Sequence, residues 1–372
     1  MKYVLQVFTG SWHEPAAGPE EIIRKIGEII SRTPADRVII GWNTDPSVYK
    51  EVGAFLHRAG MRMLLWLPVF SETDSIADPD RALDIFGKPV PVPEGQEGEG
   101  FIFHCPSSRR NTGIVKELYE THFAGCGFDG VFLDRIRSQS FLGGVSGVLS
   151  CGCERCRRAF LRKGVDPDAA AKRYEREKDA FFNMAAYPAN GRFIQEDGTA
   201  QRFFDAKEEI IAEAAAELAG YFRDRGLTVG LDLFAPVISR FTGQNYALLA
   251  KRVDFIKPML YRRTEAPAGI GYEYALFEKY APGARGRIRL TPDRAFLDTQ
   301  LAALRGLPCE ICPGIEINYD RELVRTDAGY IRESLDAVRD QGFESAALCW
   351  NMMQAPEEHL AAVPSGTERG RK

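Results

Sequence analysis

The sequence has little of what marks membrane-spanning, nucleic-acid-binding or disulfide-stabilised proteins. No run is long and apolar enough to cross a bilayer, and the N-terminal stretch lacks the apolar segment and cleavage site of a signal peptide. Lys and Arg total 48 against 52 Asp and Glu, without a basic block. Eight cysteines in 372 residues are too few for a disulfide scaffold. We therefore expect a soluble, cytoplasmic protein with no membrane or nucleic-acid partner, and a homo-oligomer remains open.

The sequence does contain a regular alternation of short apolar runs and longer amphipathic stretches. This rhythm is typical of βα units and a parallel sheet. Eight such runs favour a closed (β/α)8 TIM barrel over an open doubly wound sheet. The predicted strands are residues 3–8, 37–42, 61–67, 130–134, 228–234, 255–261, 310–317 and 345–351.

Two segments are longer than ordinary loops of such a barrel. Residues 71–103 follow the third predicted strand, and residues 138–201 follow the fourth. Both leave the C-terminal end of a strand, which is the active-site face of a barrel. We expect residues 1–365 to form one catalytic barrel whose substrate cleft is shaped by these rim insertions, and residues 366–372 to be a flexible tail.

Three acidic residues lie in or directly after apolar strands: Asp134, Asp232 and Glu316. A charge in such a position is costly unless it is paired or functional. Hydrolysis of an O-glycosidic bond needs two carboxyl groups, one to protonate the leaving oxygen and one to attack or to activate water. We predict Asp134 as nucleophile or base and Glu316, with its longer side chain, as general acid. Asp232 is predicted as a supporting carboxylate or the alternative acid.

The same acids also have structural interpretations. Asp134 is flanked by Arg135 and Arg137, so a local salt bridge is one alternative. The other two acids can form core ion pairs, for example with Lys257 on a neighbouring strand. Three acids on three predicted strands form a pattern that a purely structural account does not anticipate.

The chain has only four tryptophans, and all of them fall at or near predicted C-terminal strand ends. An indole offers a flat apolar face and one N–H donor, which suits stacking on a sugar ring, although each ring could equally plug the barrel mouth. Polar residues recur at the same ends. The predicted substrate-binding residues are Trp12, Trp42, Asn43, Trp66, Arg135, Lys257, Tyr261, Trp350 and Asn351.

Three cysteines are clustered in the second insertion, at Cys151, Cys153 and Cys156. Their close spacing, opened by a glycine and followed by a helical pattern, is typical of a metal knuckle. Cys105, directly after the first insertion, completes a predicted structural Zn²⁺ site that takes no part in catalysis. A reduced or redox-labile cluster is the alternative, and no catalytic cofactor is expected.

The phrase from Gly127 to Asp134, of the form GxDGxxxD, followed by the CxCxxC cluster, resembles a group of barrel-type glycoside hydrolases. Those proteins also carry a Cys-Pro pair ahead of the helix before strand four, which Cys105-Pro106 matches. The resemblance implies a (β/α)8 fold and a catalytic strand-four Asp, similar to the amylase and α-galactosidase clans. It also implies an oligosaccharide or glycoside substrate.

Two other functions remain open. A metal-dependent barrel isomerase or hydrolase would use Asp134, Asp232 and Glu316 as ligands. The chain has only five histidines, none on a strand end beside these acids, which disfavours that hypothesis. The second alternative is a carbohydrate-binding barrel without catalytic activity.

Overall fold

The computed structural model describes residues 1–92, 102–184, 194–282 and 290–365. Eight parallel strands close into a barrel, because each strand pairs with the next and the last pairs with the first. The predicted (β/α)8 barrel is confirmed. The strands are β1 Lys2–Phe8, β2 Ala35–Gly41, β3 Arg62–Pro68, β4 Gly130–Asp134, β5 Thr228–Phe234, β6 Phe255–Met259, β7 in two pieces Glu310–Ile311 and Gly314–Glu316, and β8 Ser345–Cys349.

The strands are apolar on both faces because one face lines the barrel interior and the other lies beneath helices. Every residue of β4 is buried. Phe132 of β4 and Phe255 of β6 stack across the interior with ring centroids 5.9 Å apart. Arg37 lies over Phe255 and pairs with Glu310 near the N-terminal strand ends. The interior of the barrel near the N-terminal strand ends is therefore a packed core.

Helices follow most strands and form the outer layer. The helix that follows β1 begins at Pro19, whose fixed φ suits the first helical position. In chain order the helices are α1 Pro19–Ile30, α2 Pro46–Arg58, α3 Arg109–Leu118, α4 Gly144–Val148, α5 Glu154–Arg162, α6 Pro167–Arg176, α7 Lys178–Phe181, α8 Gly198–Arg223, α9 Pro236–Ser239, α10 Tyr246–Leu249, α11 Ile270–Tyr280, α12 Arg294–Ala302, α13 Ala328–Asp340 and α14 Glu357–Ala361.

The seventh strand differs from its prediction as one run over residues 310–317. It is interrupted at Cys312 and Pro313, because proline has no N–H to donate to the ladder. The Pro313 carbonyl still accepts a hydrogen bond from the Ala347 N–H over 2.9 Å. Pairing resumes at Gly314, so that Glu316 is the last residue of β7.

The two insertions are hydrogen-bonded to each other beside the C-terminal end of the barrel. The Gly152 N–H donates to the Leu83 carbonyl over 2.9 Å. A Cβ on Gly152 would lie 2.0 Å from the Asp84 carbonyl oxygen, so only glycine permits this approach. Parts of both insertions (93–101, 185–193) and the predicted tail 366–372 lie outside the described residues. Within the described ranges no helix has the length and apolar character needed to cross a membrane.

Candidate active site

Asp134 is the last residue of β4 and keeps 8 % of its surface exposed. Trp66 Nε1 donates a hydrogen bond to Asp134 Oδ2 over 2.9 Å, and the Arg135 backbone N–H donates to Oδ1 over 2.6 Å. Both carboxyl oxygens therefore accept hydrogen bonds, which fixes the orientation of the group. Among the described residues no ion pair joins Asp134 to Arg135 or Arg137.

The Arg135 side chain contacts the first insertion instead. Its backbone is left-handed, with φ at 53°, an uncommon conformation for a residue with a Cβ. The guanidinium pairs with Glu72, donates to Ser71 Oγ over 3.1 Å, and lies 5.1 Å from the ring centroid of Trp42. These contacts offset the cost of the backbone conformation and connect β4 to the segment after β3.

Asp232 and Lys257 form an ion pair inside the barrel, on the neighbouring strands β5 and β6. Lys257 Nζ lies 2.8 Å from Asp232 Oδ2, and it also donates to Gln6 Oε1 over 2.8 Å and to the Tyr261 hydroxyl over 2.9 Å. The three N–H donors of the ammonium group are thus all used within the protein. This is the ion pair anticipated as the structural interpretation of Asp232.

Burial and the neighbouring charges shift the pKa values of Asp232 and Lys257 for different reasons. Burial raises the pKa of Asp232 to about 7, with the Lys257 charge opposing the rise and the Asp134 charge adding to it. Burial acts to lower the pKa of Lys257, but the Asp232 carboxylate holds it above its usual value. Lys257 is therefore cationic at neutral pH, and Asp134 lies close enough to influence Asp232.

Glu316 lies at the end of β7 and has no exposed surface. Its Oε1 accepts a hydrogen bond from the Arg263 backbone N–H over 2.6 Å, and Oε2 has no hydrogen-bond partner among the described residues. Burial raises the pKa of Glu316 to about 7, and the Arg263 N–H and the Tyr330 hydroxyl moderate the rise. Within the described ranges no cationic side chain is ion-paired with Glu316, in contrast to Asp232.

Three of the four tryptophans form one aromatic cluster with Phe8 at the C-terminal strand ends. Trp42 and Trp66 stack with centroids 5.7 Å apart, and Trp12 lies 5.9 Å from Trp42. Phe8 meets Trp42 and Trp66 edge-on. The Trp12 N–H donates to the Glu72 carbonyl, whereas the buried Trp42 Nε1 has no acceptor among the described residues. The cluster thus adjoins Asp134 through Trp66 and leaves one buried indole donor unused.

The remaining predicted binding residues are held by backbone contacts. Asn43 Nδ2 donates to the Ser11 carbonyl over 2.8 Å, which ties down the loop carrying Trp12. Asn351 Oδ1 accepts hydrogen bonds from the backbone N–H groups of Phe8 and Met353. Trp350, beside it, is only partly buried. The two asparagines therefore shape the rim through its loops, and Trp350 is the more accessible aromatic residue.

Arg137 is a residue of this region that sequence reasoning named only as a salt-bridge partner. Its guanidinium lies 4.2 Å from the ring centroid of Phe234 and 4.7 Å from that of Phe103. Burial lowers its pKa to about 10, with the Glu273 carboxylate as the strongest opposing charge. Arg137 is thus a buried cation at neutral pH. Glu72, which pairs with Arg135, was also missed, because loop acids are common and these contacts join distant chain segments.

The four predicted metal ligands come together. The sulfur atoms of Cys105, Cys151, Cys153 and Cys156 all lie within 4.8 Å of one another. Among the described residues, Asp134, Asp232 and Glu316 form no comparable set of close ligand atoms. The donor geometry therefore suits a metal at the cysteines and does not favour a metal held by the three carboxyl groups.

Comparison with known proteins gives structural matches only, since no family model and no curated protein matches the sequence. The glycoside hydrolase domain of PgaB (BpsB) from Bordetella bronchiseptica superposes with a TM-score of 0.62 at 16 % identity, covering 97 % of this chain and 96 % of that one. A class V chitinase from Pseudomonas fluorescens Pf-5 gives 0.52 at 10 %, covering 98 % and 99 %. Alpha-L-fucosidase isoenzyme 2 from Paenibacillus thiaminolyticus gives 0.56 at 12 %, covering 97 % of this chain and 48 % of that one. At such identities the likeness is one of fold: this chain has the barrel found in glycoside hydrolases.

Proposed function

We propose that this protein is a glycoside hydrolase that cleaves O-glycosidic bonds with two carboxyl groups. The observation that carries the proposal is the pairing of unlike acids at one barrel end. Asp134 keeps 8 % of its surface exposed and is held through both oxygens, whereas Glu316 has no exposed surface, a pKa raised to about 7 and one carboxyl oxygen without a hydrogen-bond partner among the described residues. Two carboxyl groups whose environments differ in this way suit opposite roles in acid–base catalysis.

Asp134 is the proposed nucleophile or base. Its oxygens are oriented by the Trp66 indole and the Arg135 N–H, so the carboxylate needs little reorganisation to face an anomeric carbon or a water molecule. Its position as the last residue of β4 is where barrel enzymes carry catalytic groups. Removing its charge while keeping its shape is therefore the most direct test.

Glu316 is the proposed general acid, because a donor must hold its proton at the working pH. Asp232 has a similar pKa, but one of its carboxyl oxygens is occupied by the Lys257 ammonium group. We propose that Asp232 and Lys257 position neighbouring groups and contribute to the field at Asp134. Tyr261, bound to Lys257, belongs to this supporting network.

The aromatic cluster is the proposed sugar-binding wall. Trp42 and Trp66 keep 8 % and 9 % of their surface exposed, and Trp350 is more open. Indole rings can stack on the apolar face of a pyranose, and Trp350 is the tryptophan most open to such a contact. The substrate class that fits is an oligosaccharide or aryl glycoside. The glycoside hydrolase domain of PgaB, the chitinase and the fucosidase have the same barrel fold, which supports a carbohydrate substrate.

The test is hydrolysis of a panel of aryl glycosides and oligosaccharides by the wild type, Asp134→Asn and a matched control, Asp224→Asn. Asp224 is exposed between the end of α8 and the N-terminal end of β5, whereas Asp134 is at the C-terminal end of β4. We expect turnover by the wild type and the control, and none above background by Asp134→Asn at unchanged thermal stability. Equal turnover by all three proteins would refute the assignment, and the anomer first formed, read by NMR, would distinguish retention from inversion.

A carbohydrate-binding barrel without catalysis is the second candidate, and one observation favours it. Glu316 has no exposed surface and Asp232 is occupied by Lys257, so the deeper acids are less accessible than Asp134. Calorimetric titration of the same oligosaccharides distinguishes the two functions. Saturable binding that depends on Trp42, with no product formed by the wild type, would favour the binding protein.

A further inference from the structure

The structure brings four cysteine sulfur atoms together from two separate insertions. Cys105 Sγ lies 3.3 Å from Cys153 Sγ and 3.5 Å from Cys156 Sγ, and Cys151 Sγ completes a set within 4.8 Å. These separations exceed the roughly 2.05 Å of a disulfide bond, and all four thiols are free. Sulfur atoms about 2.3 Å from a central metal stand about 3.8 Å apart at the corners of a tetrahedron. The observed separations lie around that value.

We propose that Cys105, Cys151, Cys153 and Cys156 bind one Zn²⁺ ion in a closed tetrahedral site that joins the two rim insertions. Four thiolates fill the coordination sphere of Zn²⁺ and leave no position for water or substrate, as in structural zinc sites. On binding, each thiol gives up its proton to solvent and donates a sulfur electron pair to the metal, and no oxidation or reduction takes place.

The surroundings of the sulfur atoms suit a buried metal. Cys105, Cys151 and Cys156 are buried, Cys153 is partly buried, and Ala82 and Phe103 pack against the cluster. Four thiols in such a position, without a metal, would lack strong hydrogen-bond partners. Bonds to Zn²⁺ would give each of the four sulfur atoms a strong partner.

The positive end of a helix adjoins the cluster and suits its charge. Four thiolates around Zn²⁺ carry a net charge of about −2. Cys153 is the N-cap residue of α5, so the positive end of the helix lies at the sulfur atoms. Ser107, whose hydroxyl is 3.3 Å from Cys156 Sγ, also lines a surface cavity of about 370 Å³. The rest of that lining is Ser108, Arg109, Arg110, Arg155, Arg158 and Arg162.

The backbone around the cysteines is built for close approach. Gly152, between two of the ligands, touches the first insertion so closely that a Cβ would overlap the Asp84 carbonyl. This contact and the hydrogen bond from the Gly152 N–H to the Leu83 carbonyl hold the two insertions in register. They place Cys105 opposite the other three sulfur atoms independently of any metal.

The metal site is connected to the barrel mouth through the residue before Cys105. The His104 N–H donates to the Phe70 carbonyl over 2.8 Å, and its ring lies beside Thr73. Glu72 lies between Phe70 and Thr73 in the chain, and it pairs with Arg135, the residue that follows Asp134. A metal at the cysteines would therefore fix the segment that orients the rim. Metal binding itself does not depend on the proposed glycosidase activity.

The experiment measures metal in the full chain, expressed with zinc present and purified under reducing conditions. Elemental analysis should give one Zn²⁺ per chain for the wild type and for Cys309→Ser, a control at a partly buried cysteine outside the cluster. Cys153→Ser and Cys105→Ser should lose most of the bound zinc. Exchange with Co²⁺ should give the visible and near-ultraviolet bands of tetrahedral cobalt thiolate in the wild type and in Cys309→Ser, but not in Cys153→Ser or Cys105→Ser.

Two results would overturn the proposal. One is a reduced, folded wild type that contains no zinc and gives no cobalt spectrum; the other is retention of zinc by both cluster variants. If the variants do not fold, release of one Zn²⁺ per chain from the wild type by a mercurial reagent that reacts with thiols tests the same site. Stoichiometric iron in place of zinc would overturn the choice of metal. Failure of hydrolysis with zinc bound would instead count against the proposed function alone.

Discussion

Replacement of Glu316 by Gln removes a buried ionisable group while keeping its shape. The amide oxygen can still accept the hydrogen bond from the Arg263 N–H, and the Tyr330 hydroxyl stays close enough to interact with the side chain. The substitution therefore changes charge and proton donation with little change in packing. It tests both the burial of this acid and its proposed role.

The expected magnitude follows from the pKa. Burial raises the pKa of Glu316 from 4.5 to about 7, and each unit is worth about 1.4 kcal/mol. The folded state thus keeps this proton between pH 4.5 and 7 while the unfolded state loses it. The contribution of Glu316 to the free energy of unfolding therefore falls as pH rises through that window, by up to about 3 kcal/mol, and is constant above it. A glutamine side chain does not ionise, so its contribution to the free energy of unfolding does not fall with pH. The variant should therefore match the wild type near pH 4 and be more stable at pH 8.

Thermal unfolding of the wild type, Glu316→Gln and the exposed control Glu358→Gln, measured from pH 4 to 8, checks this expectation. The midpoint of Glu316→Gln should exceed that of the wild type by a few degrees at pH 8, with the difference vanishing in acid. Parallel pH profiles, or a variant that is less stable at pH 8, would refute the reasoning that Glu316 is a buried acid with a raised pKa.

The same variant tests catalysis. If Glu316 donates the proton, the wild type should lose kcat above about pH 7, because the acid is then ionised. Glu316→Gln should lack this alkaline limb. It should also lose most activity on substrates with poor leaving groups and keep more on aryl glycosides whose leaving group needs little protonation. Unchanged activity on both substrate classes would contradict the assignment.

The remaining predictions concern the residues around this acid. Asp134→Asn should lower kcat by about 10³-fold or more at unchanged thermal midpoint, measured on the best aryl glycoside, and a smaller loss would argue against a direct role. Trp66→Phe removes the 2.9 Å hydrogen bond to Asp134 and should lower kcat/KM by about 10- to 100-fold, whereas an unaltered value would show that the bond does not orient the carboxylate. Lys257→Met leaves Asp232 buried without its cation and should lower the free energy of unfolding by about 3–5 kcal/mol. The double variant with Asp232→Asn should recover part of this loss. An unchanged free energy of unfolding in the single variant would contradict the ion pair.

The barrel could be predicted because its signal is local and repeated. The bounds of β4 and β5 agree with the predicted runs 130–134 and 228–234, since β4 ends at a charged residue and β5 is followed by Pro236, which begins α9. The prediction differed at β7, where Pro313 interrupts the ladder within an otherwise apolar run. Helices α11 and α12 lie between β6 and β7, as the predicted alternation of strands and helices requires.

The site was less predictable because its contacts join residues that are distant in the chain. Strand alternation indicated that Lys257 and Tyr261 share a face. It did not indicate that the Lys257 ammonium group contacts Asp232, Gln6 and Tyr261 with its three N–H donors. The direction of the Arg135 side chain depends on a left-handed backbone that the sequence does not mark. The proximity of Cys105 to the CxCxxC cluster was inferred from residue type alone, and it required the two insertions to fold against each other.

The distribution of charge at the barrel mouth gives Asp134 a distinctive place among the acids. Asp232 is balanced by Lys257, and Glu273 is the strongest charge opposing the burial of Arg137. Asp134 accepts hydrogen bonds from neutral donors and, within the described part of the chain, has no ion-pair partner. A transition state of oxocarbenium type develops positive charge at the anomeric carbon, and a carboxylate without a bound cation can stabilise it most strongly. The supporting ion pairs thus leave the negative charge of Asp134 available to a substrate at the open end of the barrel.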